Sequence, residues 1–477
     1  MINNGGAGNM RAAKAMTGAV LAVTLAAGCS GADAGDGTGK NGAVGRPDTA
    51  RVPAELPAEL AVPGQYDGSL GWDEILPWVP ESVGTPPVTV VPRTEVVAMM
   101  YATPDGYTVQ TKAAGSGKAG WGSAPWKTPA RIDGTEVDEE IPGVAGVELD
   151  GRGYVIAYAH GVSGKGELHE GTEVVRLAVF PADASGSGVK PLREVDVPVS
   201  ADPNEIRVGA DGGRLLVAYG DHGRYPRSAV AVDVNTGLVT PYEEPDKLLP
   251  ECVQTPGCSG SRVMAVTADG PLVTMDGWNG FGVPGRWFSD SLRPDGVPPE
   301  SGNLSKRTGR AYGVAAGRVL ASWDSGSSRP TTWSVHDART GAVLALMECA
   351  TSESVDFLNE TPDHSTVASP SGRYLAAGPV AFDLERKQGI CLAGDGDRKT
   401  IDLSSIRDDG TAYGMVDGDV STDTEPAGAQ VDLTSSGEAD EVGRDVEIPF
   451  VTDVGGGGLF LTRDEQKRLR VSLRRAS

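Results

Sequence analysis

Clustered positive charge is what this sequence most plainly lacks. Its 42 Lys and Arg face 65 Asp and Glu, a formal net charge of −23 over 477 residues, and no long basic run interrupts the excess. Phosphate binding needs grouped cations, so no nucleic-acid partner is expected. The negative balance is read first as a solvated acidic surface, because charge speaks to solubility before it speaks to partners. Histidine is scarce as well: His160, His169, His222, His336 and His364 are the five, and none stands in a ligand spacing such as HExxH. No Ser lies in a GxSxG elbow. Each His is therefore expected to be a turn or packing residue, and no cofactor is expected. Helical patterning is sparse, whereas Gly (66) and Pro (33) are abundant, which favours many short strands joined by tight turns.

The N-terminal region carries a specific signal. Arg11 and Lys14 precede an apolar stretch, residues 15–27, that is too short to span a bilayer and ends in Leu25-Ala26-Ala27-Gly28-Cys29. This stretch resembles the lipobox of bacterial lipoproteins, with Ala26 where that family favours Leu and Leu25 one step earlier. The resemblance implies cleavage before Cys29, a diacylglycerol on its thiol, palmitate among its acyl chains, and a place on the outer face of the cell membrane. Met10-Arg11-Ala12-Ala13-Lys14 would begin a more typical signal peptide than Met1-Ile2-Asn3-Asn4, so translation from Met10 is an open alternative. Residues 29–51 contain almost no large apolar side chain and are expected to form a Gly-rich flexible tether. Residues 52–87 are richer in Pro, gather Trp72, Ile75, Leu76 and Trp78, and are expected to be an extended arm packed on the main domain. The domain order is thus 1–28 signal peptide, 29–51 tether, 52–87 arm and 88–477 main domain.

Setting Cys29 aside leaves Cys252, Cys258, Cys349 and Cys391, an even number that in an exported chain reads as two disulfides. Cys252 with Cys258 and Cys349 with Cys391 is the favoured pairing, although other pairings stay open. Zinc is disfavoured, since Cys252 and Cys258 are widely spaced and have no His close by.

From about residue 95 onward two turn markers alternate at a spacing of roughly forty to sixty residues, the signature of an array or propeller. The first is a polar turn between apolar runs, at Asp105-Gly106, Asp150-Gly151, Asp211-Gly212, Asp269-Gly270, Ala316-Gly317, Ser371-Gly372, Asp409-Gly410 and, less clearly, residues 455–458. The second is a strand ending at Asp with a turn ending at Gly, as in Asp233-Val234-Asn235-Thr236-Gly237, Asp337-Ala338-Arg339-Thr340-Gly341, Asp383 to Gly389 and Asp432 to Gly437. Looser versions run from Asp183 to Gly188 and from Asp290 to Gly296. Runs between markers, such as Leu215-Leu216-Val217-Ala218-Tyr219, are continuously apolar, as expected of strands covered on both faces. The fold class is therefore all-β, a single β-propeller of seven or eight four-stranded blades. Residues 446–451, 459–462 and 469–473 read as three final strands, and Val88-Thr89-Val90-Val91 is the expected source of the missing outer strand.

The phrases SPSGR (residues 369–373), TPDG (103–106) and HDARTG (336–341) resemble the turns of WD-repeat and related bacterial propeller lipoproteins. His364 sits where that family places its structural His, but Gly378-Pro379 replaces the orienting Asp and no regular Trp-Asp pair occurs. The resemblance implies the propeller and no activity.

Candidate chemistry in the linear sequence is thin. Ser322-Trp323-Asp324-Ser325-Gly326 nearly matches a sialidase-type Asp box, occurs once, and is read as an ordinary turn. Asp417, Asp419 and Asp423 with Glu425, and Asp395 with Asp397, are weak calcium candidates that lack the full ligand loop. Trp121, Trp126 and Trp278 are either exposed binding aromatics or core. The function expected is a membrane-anchored binding or assembly scaffold for a protein, peptide or envelope polymer. The alternative is a hydrolase or lyase on cell-wall or extracellular glycans, using carboxylates at the central opening.

Overall fold

The computed structural model describes residues 58–477 except 133–140, 167, 200–204, 221–227, 243–247, 250–260, 276–279, 296, 298–299, 302–304, 307–308, 324–329, 351–365, 395–397, 417–426 and 436. Two-residue turns set its pattern. Asp150-Gly151 (φ 50° and 76°), Ala316-Gly317 (48° and 71°) and Gly455-Gly456 (56° and 77°) hold both residues in the left-handed region, which suits the right-handed twist of the strands they reverse. The apolar runs on either side pair as antiparallel strands, and eight meanders follow one another around the chain.

Each meander begins at its inner strand. These are Val88–Val90, Gly143–Leu149, Glu205–Gly209, Arg262–Thr267, Arg310–Ala315, Val367–Ala368, Ile401–Ile406 and Val451–Val454, opening blades 1 to 8 in turn. The continuous apolar runs are buried as expected: Leu215, Leu216, Val217 and Ala218 of blade 3 are all buried, as are Tyr374 to Ala377 of blade 6. Among the described residues eight apolar clusters hold the blades together, one between each neighbouring pair. The ring is closed because Trp72, Leu76, Leu459 and Leu473 of blade 8 share a cluster with Val88, Val97 and Met99 of blade 1.

Closure differs from the expectation. Val88–Val90 is the inner strand of blade 1, and the strand that completes blade 8 is Tyr66–Leu76, which pairs antiparallel with Leu469–Ala476. The reason lies in blade 1, where Asp105-Gly106 forms the second turn of the meander, between Val96–Thr103 and Gly106–Ala113, and not the first. Reading it as the first turn released Val88 to an outer position. Two further expectations shift. The last inner strand is Val451–Val454, later than residues 446–451, and the turn between the third and fourth strands of blade 4 is at residues 284–286, upstream of Asp290, which lies in a short 3-10 turn, Ser289–Leu292.

Cys349 and Cys391 form a disulfide between the fourth strands of blades 5 and 6, Val343–Cys349 and Gln388–Cys391, as the pairing anticipated. Cys29, Cys252 and Cys258 lie outside the described residues, as do Met1, Met10 and the tether.

Candidate functional site

Because every blade starts from its inner strand, the turns joining strands one to two and three to four leave from one end of the ring, called here the turn end. At that end blades 3, 5, 6 and 7 share one chemical device. The Asp that closes a third strand accepts N–H groups of its own turn: Asp233 from Asn235 and Thr236 (2.9 Å each), Asp337 from Thr340 (2.9 Å), Asp383 from Glu385 (3.0 Å) and Asp432 from Thr434 (2.8 Å). The Thr236 amide at Asp233, and the Thr434 hydroxyl at Asp432, hold those carboxyls below their ordinary range. At Asp337 and Asp383 burial pushes upward, and the turn N–H groups together with Arg318 or Arg373 outweigh it.

In blades 5 and 6 an Arg that follows the first turn completes the unit. Arg318 lies opposite Asp337 in the strand register and bonds it at 3.0 Å; Arg373 grips Asp383 through Nε (3.2 Å) and a terminal nitrogen (2.7 Å). In blade 3 Arg214 precedes Leu215, the partner of Val232, and its charge helps to depress Asp233. In blades 5 and 6 these carboxylates and guanidiniums bolt the blade across its own foot.

Blade 2 carries the same two residues and leaves them apart. Tyr154 pairs with Pro181, and Ala182 N–H donates to Gly153 O (3.0 Å), so Arg152 comes opposite Asp183. Among the described residues neither side chain has a hydrogen bond or an ion pair. The cause is the connection that follows. Instead of turning tightly, residues 182–192 run out to lay Ser187–Val189 parallel to Ala119–Ser123 at the edge of blade 1, with Gly122 N–H donating to Gly186 O (3.0 Å) and Ala124 N–H to Val189 O (2.9 Å). Asp183 has no short turn to cap. A cavity of about 640 Å³ opens between blades 1 and 2, lined by Thr94, Val96, Arg152, Tyr154, Asp183 and Leu192 among others. Charges nearby are already committed: Arg93 bonds Glu148 (2.9 Å), and Arg193 donates to Asn235 O (2.7 Å).

The residues singled out in the sequence are placed elsewhere or lie beyond description. Asp417, Asp419, Asp423, Glu425, Asp395 and Asp397 are outside the described residues, and so are Asp324 to Gly326, Trp278, His222 and His364. Among the described residues no group of three or more His, Cys, Asp or Glu is arranged to hold a metal. Trp121 and Trp126 are core, each 3% exposed between blades 1 and 2. His160 is buried against Glu173 (2.7 Å). His336 is fully buried in blade 5. Glu447, in the connection from blade 7 to blade 8, is the described carboxyl pushed upward, by burial. It is not on an inner strand.

Sequence reasoning did not single out Arg152 and Asp183 as a site, although a signal was present. The looseness of the second marker at Asp183 to Gly188, beside a Gly151-Arg152 start that matches Gly317-Arg318 and Gly372-Arg373, marked the place where the unit departs from the pattern of blades 5 and 6.

The fold is thus an eight-bladed β-propeller whose turn end carries Arg–Asp bolts in blades 5 and 6 and, at blade 2, the same two residue types unbonded beside a cavity. No protein-family model matches the chain, and no curated protein matches it. Solved structures with some likeness include the Dos1 propeller, at 10% identity and a TM-score of 0.39 over 84% of this chain and 95% of that one. An uncharacterized protein of Listeria monocytogenes gives 8% and 0.35 over 85% and 91%. The polysaccharide lyase Uly1 gives 6% and 0.35 over 83% and 91%. Likenesses at this level carry no argument about function, and the fold stands on the blade topology itself.

Proposed function

We propose that this protein is a lipid-anchored extracytoplasmic scaffold, held to the cell membrane through Cys29 and the tether of residues 29–51, which binds a protein, peptide or envelope polymer at the foot of blade 2. The observation that carries the reading is the unbolted Arg152 and Asp183, two charged side chains lining a cavity at a repeat position where Arg318 and Arg373 are paired. Binding sites are commonly built by connecting segments on a rigid scaffold, and here the connection that opens the cavity is the one that breaks the repeat. The lipobox at Leu25 to Cys29 supports the anchor. The glycan hydrolase or lyase alternative calls for carboxylates with raised pKa converging on the central opening; Glu447 is raised but stands in the connection between blades 7 and 8.

The test is recovery from the protein's own membranes after mild crosslinking, beside a Cys29→Ala form. The reading expects the native chain in the membrane fraction with one stoichiometric partner, and the Cys29→Ala chain released from it. A soluble native chain that frees sugars from purified cell wall would favour the enzyme instead.

A further inference from the structure

Resting on that reading, we infer that the opening in blade 2 takes a short peptide segment bearing an ammonium and a carboxylate together, held across Asp183 and Arg152 with an apolar side chain against Leu192. Two opposite, solvent-exposed charges line one cavity and, among the described residues, bond neither each other nor any neighbour. The contrast within the ring is direct. The register that places Arg318 against Asp337 also brings Arg152 opposite Asp183, yet only the former pair closes.

The ligand class follows from that separation. A purely anionic ligand drawn to Arg152 would lie beside a carboxylate, and a purely cationic one drawn to Asp183 would lie beside a guanidinium; like charges brought together in this way are strongly unfavourable. A multiply charged phosphate fails on the same ground. A ligand that carries one charge of each sign satisfies both. Beside the charges the cavity presents Val96, Tyr154 and Pro181, and Leu192 is left 56% exposed, which suits a ligand that also carries a hydrophobic side chain. A volume of about 640 Å³ falls in the usual range for small-ligand clefts and is far too small for a folded domain.

The probes are leucine-containing peptides of roughly two to five residues, each with both ends free, N-acetylated, C-amidated or blocked at both ends, titrated into the full chain in mild detergent. At the best length the free-ended peptide should bind about tenfold or more tighter than either singly blocked form. Arg152→Gln should abolish the disadvantage of the C-amidated form alone, and Asp183→Asn that of the N-acetylated form alone. Equal binding of free and singly blocked peptides, lost in Arg152→Gln, would overturn the dipolar ligand while leaving the site standing. Absence of binding by every peptide, together with no crosslink from Leu192 in cells, would overturn the site itself. A stability coupling between Arg152 and Asp183 as strong as that between Arg318 and Asp337, measured by double-mutant cycle, would show that the pair closes on itself and would also overturn the inference.

Discussion

His336 illustrates how a single side chain can be fully committed to the scaffold. The Gly341 carbonyl can only accept, so Nδ1 carries the proton and donates to it (3.0 Å), which leaves Nε2 to accept from the Ser334 hydroxyl (2.8 Å). The Ser334 oxygen in turn accepts the Trp323 indole N–H (2.7 Å), so the line of bonds runs in one direction with no charge required. Burial lowers the imidazole to about 4. The unfolded imidazole takes up a proton below its ordinary 6.5, while the folded one resists until about 4. This contribution is therefore complete above about pH 6.5 and declines as the pH falls, by roughly 3 kcal/mol in the acid limit. The depressed carboxyls of the turn Asp residues lose their contribution only in more acid solution, below their ordinary range. Urea midpoints at pH 7 and pH 4.5 should thus fall further apart in the native chain than in His336→Phe. Equal differences would contradict the neutral buried imidazole. His336 stood out in the sequence only as part of a turn phrase, because the Ser334 and Trp323 bonds arise from pairing across strands.

The decisive element is the strand Tyr66–Leu76. Its sequence, with Asp67, Gly68, Gly71 and Asp73, has little strand character, and it sits in the outer position of blade 8 because Arg474 holds it there. That guanidinium is fully buried, pairs with Asp73 (2.7 Å) and donates to the carbonyls of Ala58 (2.7 Å), Gly68 (2.9 Å), Trp72 (3.2 Å) and Leu473 (3.0 Å). A buried cation of this kind is strongly missed once removed, since Asp73 loses its counter-ion and four carbonyls lose a donor. Arg474→Met should destabilise the ring by about 3 kcal/mol or more, with amide exchange rising first in Tyr66–Leu76. Uniform loss of protection across the blades, or none, would argue against a latch. The blade of residues 367–391 was fully legible, turn by turn, because both markers there are strong and its strands are continuously apolar. The closing strand was not, because its partner Arg474 is distant in sequence and its own residues do not alternate.

At the scale of the whole molecule the ring is unevenly sealed. The blade 7 to blade 8 cluster has three buried aromatics, Tyr66, Tyr413 and Phe460, and is reinforced by Arg407 on Asp453 (3.1 Å) and Asp408 N–H on the same carboxylate (2.6 Å). On the outer rim of blade 7, Glu438–Glu441 presents a fully exposed acidic strand, a charged edge that discourages pairing with another sheet. These features read as a scaffold with packed blade interfaces, in which the foot of blade 2 carries an unbonded Arg–Asp pair beside a cavity. The repeat and its blades could be seen in the sequence, whereas the opening became visible only once the register set Arg152 against Asp183. The central claim is that this foot is where the protein meets its partner. The measurement that tests it most directly places a photo-crosslinking side chain at Leu192 of the anchored protein in its own cells, with Leu238 as control. Leu238 is comparably exposed, at 64% against 56%, and lies at the same end of the ring in blade 3. The claim predicts a discrete envelope adduct from position 192 and none from 238. Equal adducts at both positions, or none at 192, would contradict it.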